Sequence, residues 1–207
     1  MTNSYIHSEV YGNGSINLIC IHGLGASHLS YKALGLEFSD ELTVHSIDLI
    51  GFGKSKIPDG FDFHVHSQAE EVANFITKLK LKKFSLVGHS LGGLIILRIL
   101  IKSLLPVKNI SNIFLISPLT SRNQFPYFSK ILKINTINRL LFNVIPSRLL
   151  ARMVLNYHFH DQNLISQDIV DNYTKYYSLK TNKIAMIKTI ENIFKQDFLE
   201  LQIKYNK

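Results

Sequence analysis

The feature that most narrows the fold of this chain is a six-residue bend, Gly88-His89-Ser90-Leu91-Gly92-Gly93, between an apolar run at 84–87 and a helical apolar pattern over 94–105. The first has the length of a buried strand and the second that of a helix, so the chain must turn from one into the other within a few residues. Such a turn needs Gly88 and Gly92, because strand and helix can approach this closely only where no Cβ stands between them. The residue at the apex is then held in strained backbone geometry with its side chain raised above the sheet. Ser90 occupies the apex and offers a hydroxyl as a candidate nucleophile, with His89 beside it as a packing residue.

A strand that ends in this way needs neighbours. Three more apolar runs, at 18–21, 43–47 and 113–116, lack strict alternation, as expected of parallel strands covered on both faces. Between the second and third runs, Ser67 and Glu70 read as a capping box, followed by Val72, Phe75, Ile76 and Leu79 at helical spacing. Strands alternating with crossover helices predict an α/β fold with a mostly parallel, doubly wound sheet. After Pro118 the pattern changes to amphipathic stripes: Phe128, Ile131 and Leu132; Leu149, Leu150, Met153 and Val154; Ile165, Ile169, Val170 and Tyr173; Ile187, Ile190, Phe194 and Phe198. They predict about four helices appended to the sheet, as packing faces.

The first strong strand runs into His22-Gly23-Leu24-Gly25. A glycine-rich turn there can aim a backbone N–H at a reaction centre, and the N–H of Leu24 paired with that of Leu91 would make a two-donor hole for an oxyanion. His22 and Gly23 are expected to shape that turn. The second strand ends in Asp48-Leu49-Ile50-Gly51-Phe52-Gly53-Lys54-Ser55, which suggests a nucleotide loop and fails as one. A phosphate loop ending in Gly53-Lys54-Ser55 needs glycine at 48, and a dinucleotide fingerprint starting at Gly51 needs a glycine where Lys56 stands.

These three turns, in this order and at these spacings, resemble the α/β-hydrolase superfamily in its capped serine-esterase branch. The resemblance implies Ser90 as nucleophile, oxyanion donors at Leu24 and Leu91, and a helical cap shaping an acyl pocket over a small acyl or ester substrate, without cofactor or metal. It divides the chain into a core at 1–118, a cap at 119–200 and the start of a further core strand at 201–207. Serine at 90 argues against the dehalogenase and epoxide hydrolase relatives, which carry aspartate there.

In that superfamily the acid and then the histidine follow the nucleophile along the chain. The cap pattern here reaches Phe198, and two further strand-helix units are expected to be absent before Lys207, with acid and base among them. Activity is then expected to be impaired, and the run at 113–116 becomes an apolar edge strand. A non-catalytic remnant, or a scaffold whose sheet is completed by a second chain, is the competing expectation. His158 and His160 are candidates for a surrogate base or a metal pair, against the plainer reading of loop histidines; His64 and His66 read as loop, and His7, His28 and His45 have no motif around them.

Charge and cysteine content bound the rest. The net charge of +8 is unevenly spread: residues 1–119 carry 10 basic and 9 acidic side chains, and residues 120–207 carry 13 and 6. The basic cap could dock peripherally on anionic lipid, and no nucleic-acid-binding pattern accompanies it. The single cysteine, Cys20, permits no internal disulfide, and the start of the chain lacks a signal-peptide pattern. The apolar stretch at 91–101 is interrupted by Arg98 and is shorter than the ~20 residues of a membrane span. A cytoplasmic location is expected.

Overall fold

The computed structural model describes residues 4–121 and 144–195. Five strands form one sheet in the order β1-β3-β2-β4-β5. They are β1 (Ser8–Tyr11), β2 (Ile16–Ile21), β3 (Leu42–Ile47), β4 (Phe84–His89) and β5 (Ile110–Ile116). Only β1 is antiparallel, and it pairs with β3 from Ser8 opposite Ile47 to Tyr11 opposite Val44. The other pairs are parallel, with Leu18 of β2 opposite both Val44 of β3 and Ser85 of β4. A mostly parallel α/β sheet is therefore what the chain builds.

The central strands explain why the sheet is doubly wound. Alternate side chains of β2 enter two cores: Ile19 and Ile21 join Leu86 beneath α2 (Val65–Lys78) and α3 (Leu91–Ile101), and Leu18 and Cys20 join Val44, Val87 and Tyr31 on the other face. Helix α1 (Lys32–Glu37) lies beside β1 and β3. Every residue of α3 from Leu91 to Ile99 is buried, which is why its sequence shows no polar face. Burial of each such leucine or isoleucine contributes about 1.5–3 kcal/mol.

Several boundaries differ from those expected. Helix α3 begins three residues earlier, directly after the bend, and β5 begins at Ile110 rather than 113. The Ser67/Glu70 capping box does not form, because α2 already starts at Val65 with His64 at its N-cap. The Asp62 carboxylate accepts the His64 N–H at 2.9 Å, and Glu70 instead sits 3.2 Å from the His66 ring. Strand β1 and helix α1 had no sequence signal.

Three helices follow: α4 (Ser147–His158), α5 (Gln167–Tyr177) and α6 (Lys180–Lys195). The stripe assigned to α4 is half right: Ala151 and Leu155 are buried, whereas Leu149 and Met153 are about half exposed, so the packing face is rotated. In α5 and α6, Val170, Ile187 and Ile190 are buried as expected, together with Tyr176, Tyr177 and Met186. The stripe at Phe128, Ile131 and Leu132, Phe198, and the strand start at 201–207 lie outside the described residues, as does the His158 side chain. No described helix is long and apolar enough to cross a membrane.

Candidate active site at the carboxyl ends of the parallel strands

The strand order fixes where a site can form. From β2 the chain passes to β3 on one side and then crosses to β4 on the other, so the connections leave in opposite directions and open a crevice at the carboxyl ends of β2 and β4. His22-Gly23-Leu24 exits β2 there, and Ser90 exits β4 there.

Ser90 lies between the last residue of β4 and the first of α3, with φ 50° and ψ −111°. Positive φ at a non-glycine residue is costly, so the surrounding structure must hold it. It does so from both ends. The Ser90 N–H donates to the Ile116 carbonyl at 3.0 Å, and its own carbonyl accepts N–H groups from Leu94 at 3.1 Å and Leu119 at 3.0 Å. A Cβ on Gly88 would stand 2.7 Å from the carbonyl carbon of Gly92, and one on Gly92 would stand 2.8 Å from the His22 carbonyl oxygen. Both glycines are thus required by close backbone approach.

Gly23 does the same from the facing turn. A Cβ there would lie 3.3 Å from the Ser90 Cβ and 2.8 Å from the His89 Nδ1. The turn that carries Leu24 is therefore pressed against the serine. Leu91 is the first residue of α3, so its N–H has no intrahelical partner and lies at the positive end of the helix dipole. Among the described residues, neither the Leu24 nor the Leu91 N–H donates to another backbone group.

His22 shapes the turn and is spent in doing so. Its Nδ1–H donates to the Gly23 carbonyl at 2.7 Å and its Nε2 accepts the Leu49 N–H at 3.0 Å. Burial disfavours the imidazolium and pulls its pKa below the ordinary 6.5, an effect only partly offset by the Asp48 charge. His160 is exposed to solvent.

Helices α5 and α6 pack against the loops at this end of the sheet. Gly25 has φ 74°, and a Cβ on it would collide with the Tyr177 hydroxyl of α5 and the Met186 methyl of α6. A Cβ on Gly51 would stand 2.7 Å from the Ala185 Cβ, and Asn182 donates to the Gly53 carbonyl at 3.4 Å. The buried Tyr177 hydroxyl has no hydrogen-bond partner among the described residues, and burial raises its pKa. A separate groove of about 430 Å³ lies at the opposite end of β4, lined by Phe84, Leu105 and the lysines 80, 82 and 108. It holds none of the site residues.

The loop at 48–55 has a purpose that sequence reasoning missed. The fully buried Asp48 carboxylate accepts the His28 N–H at 2.7 Å, the His28 ring Nδ1–H at 2.8 Å and the Lys54 N–H at 2.9 Å. Gly53, with φ 54°, leaves room for that carboxylate. Although burial opposes ionisation, these donors together hold the Asp48 pKa below the usual aspartate value. Gly53 of the apparent nucleotide loop serves this internal anion.

A profile described as the alpha/beta hydrolase fold matches residues 16–183. A pimeloyl-[acyl-carrier protein] methyl ester esterase of Wigglesworthia glossinidia brevipalpis is 33% identical over 87 residues, which is 42% of this chain and 31% of that protein. The match thus spans about a third of the curated relative's length. A solved alpha/beta hydrolase fold protein from Burkholderia ambifaria superposes with a TM-score of 0.75 at 19% identity, covering 90% of this chain and 67% of that one. A solved epoxide hydrolase, CorEH, gives 0.71 at 19% identity, covering 90% and 69%. At these identities the structural likeness speaks for the fold alone.

Proposed function

This chain belongs to the alpha/beta hydrolase fold family, and from that premise we propose that it acts on carboxylic-ester or acyl bonds with Ser90 as nucleophile and the N–H groups of Leu24 and Leu91 as the oxyanion hole. The observation that carries this reading is the left-handed backbone of Ser90 at the crevice between β2 and β4, with the Gly23 turn against it. The methyl ester esterase relative supports the ester class, and serine at 90 favours it over epoxide opening.

In the proposed reaction Ser90 Oγ attacks the carbonyl carbon as its proton passes to a base. The carbonyl oxygen becomes an oxyanion held by the two N–H groups, each worth about 10²–10³ in rate. The bond to the leaving oxygen then breaks, and the proton is delivered to that oxygen. Water attacks the acyl-serine by the same route and releases the acid. The base cannot be His22, whose two ring nitrogens are both committed. We assign base and acid to polypeptide that pairs with the outer edge of β5, either residues outside those described or a second chain. Without them, turnover falls to the ~10³–10⁴ over water that binding and an oxyanion hole alone supply.

A second reading, a non-catalytic scaffold that docks through its sheet edge, is favoured by the exposure of Phe114 and Ile116, at 51% and 48%. A fluorophosphonate probe separates the two. Labelling at Ser90 that disappears in Ser90→Ala supports hydrolysis, and a folded chain that takes no label overturns it in favour of the scaffold.

A further inference from the structure

We propose that His7, His28 and Asp48 form a binding site for one divalent transition ion of the zinc class, closing β1 onto the loop at the end of β3. One ligating atom from each of the three lies within 4.8 Å of the others. His28 and Asp48 are buried, at 2% and 0% exposure, while the His7 side chain is 28% exposed and gives an ion a way in. Two imidazoles and one carboxylate form a donor set of intermediate softness, which suits zinc, copper or nickel rather than magnesium or calcium.

Two features argue for an ion over a simple hydrogen-bonded clamp. The first is charge. Asp48 has no lysine or arginine ion pair among the described residues, because the nearby Lys54 Nζ is engaged with Glu9 at 2.8 Å at the surface. A buried carboxylate is ordinarily paired or bound to a metal, and the group paired with Asp48 here, the His28 ring at 2.8 Å, is itself of a metal-ligating type. The second is orientation. His7 Nε2 lies 3.1 Å from Glu9 Oε1, and ligating histidines typically give their second ring nitrogen to a carboxylate in this way. That contact fixes the His7 ring.

The closure required is small. Bonds of about 2.0 Å to a tetrahedral ion put ligand atoms about 3.3 Å apart, so the His7 ring must move inward by up to about 1.5 Å while the His28 ring and Asp48, now 2.8 Å apart, open slightly. The His28 proton now directed at Asp48 moves to the other ring nitrogen or to solvent as the ion takes its place. Three protein ligands leave a fourth position for water on the His7 side. The site lies at β3, two strands from Ser90, and is independent of the hydrolase reading.

The test uses the full chain, untagged and stripped with chelator, titrated with Zn²⁺ by calorimetry and with Co²⁺ by visible absorption. The expected result is saturation at one ion per chain, tetrahedral Co²⁺ bands and a raised melting temperature. His7→Ala should weaken binding by at least about tenfold, whereas a His64→Ala/His66→Ala variant should bind as the parent does. His7 is partly exposed, so an unchanged metal-free melting temperature certifies the folded variant. No saturable binding, or binding that His7→Ala leaves intact, overturns the site.

Discussion

Asp48 takes both the main-chain N–H and the ring N–H of His28, at 2.7 and 2.8 Å, from a residue twenty positions away. The pair sits at the end of β3 and ties the segment after the Leu24 turn to the loop at 48–55. Removing one partner would leave a buried carboxylate short of its strongest donor. His28→Ala should therefore cost about 3 kcal/mol of stability in metal-free protein. Urea denaturation measures it, and a loss below about 1 kcal/mol would mean that the pair is only a surface-grade interaction.

The contact between the two turns yields a prediction about reactivity. A methyl group at Gly23 must push on the His89 ring and on the Ser90 Cβ, at 2.8 and 3.3 Å. The neighbours are side chains that can yield, so the fold should survive. Ser90, however, would be displaced from the amides proposed for it, and misplacement by an ångström can cost about 10² in rate. Gly23→Ala should slow fluorophosphonate labelling by that order while circular dichroism stays that of the parent. Unchanged labelling would detach the Leu24 turn from the chemistry.

What the sequence revealed follows from which forces act locally. Strand β4 and helix α3 were legible because burial on all sides writes long apolar runs, α2 because one buried face repeats at helical spacing, and β5 because its run is apolar although largely exposed. The bend at Ser90 was legible because Gly88 and Gly92 answer a steric demand a few residues away. Strand β1 was not, because its four residues are at most partly buried and are ordered by pairing with β3, a tertiary cause. Helix α1 buries only Gly35 and so leaves no stripe. The Ser67/Glu70 pattern was a genuine local signal that lost to Asp62, whose carboxylate caps the His64 N–H three residues earlier. The His7, His28 and Asp48 cluster was invisible because no spacing rule connects residues that only the sheet brings together.

His22 gives the stability a definite dependence on pH. Burial, the largest cause, holds its folded pKa below 6.5, so between that value and 6.5 the unfolded chain binds a proton that the folded chain refuses. Stability therefore rises with pH through this window. The contribution is complete above 6.5 and is lost as pH falls towards the folded pKa. Half-buried His45, likewise lowered by burial, adds a slope of the same sign. Asp48, also lowered, acts in a separate window below its ordinary 3.8. Denaturation midpoints measured from about pH 7.5 to 5 should fall, and His22→Gln should flatten the decline; an equal slope in the variant would remove His22 as its source.

The outer strand makes the last prediction. β5 pairs with β4 from Phe84 opposite Ile110 to His89 opposite Ile116, and its other edge meets no strand among the described residues. Its side chains are open as well, with Ile113, Phe114 and Ile116 exposed by 39%, 51% and 48%. An apolar strand with an unpaired row of N–H and C=O groups is a template for another chain. The 207-residue chain should associate as its concentration rises. Phe114→Lys, which places charge on an exposed face, should restore the monomer without lowering the denaturation midpoint, since that side chain buries little. Sedimentation velocity across a concentration series decides it. A parent chain that stays monomeric throughout would mean that β5 is already covered, and the assignment of acid and base to polypeptide docking there would then have to place them within this chain.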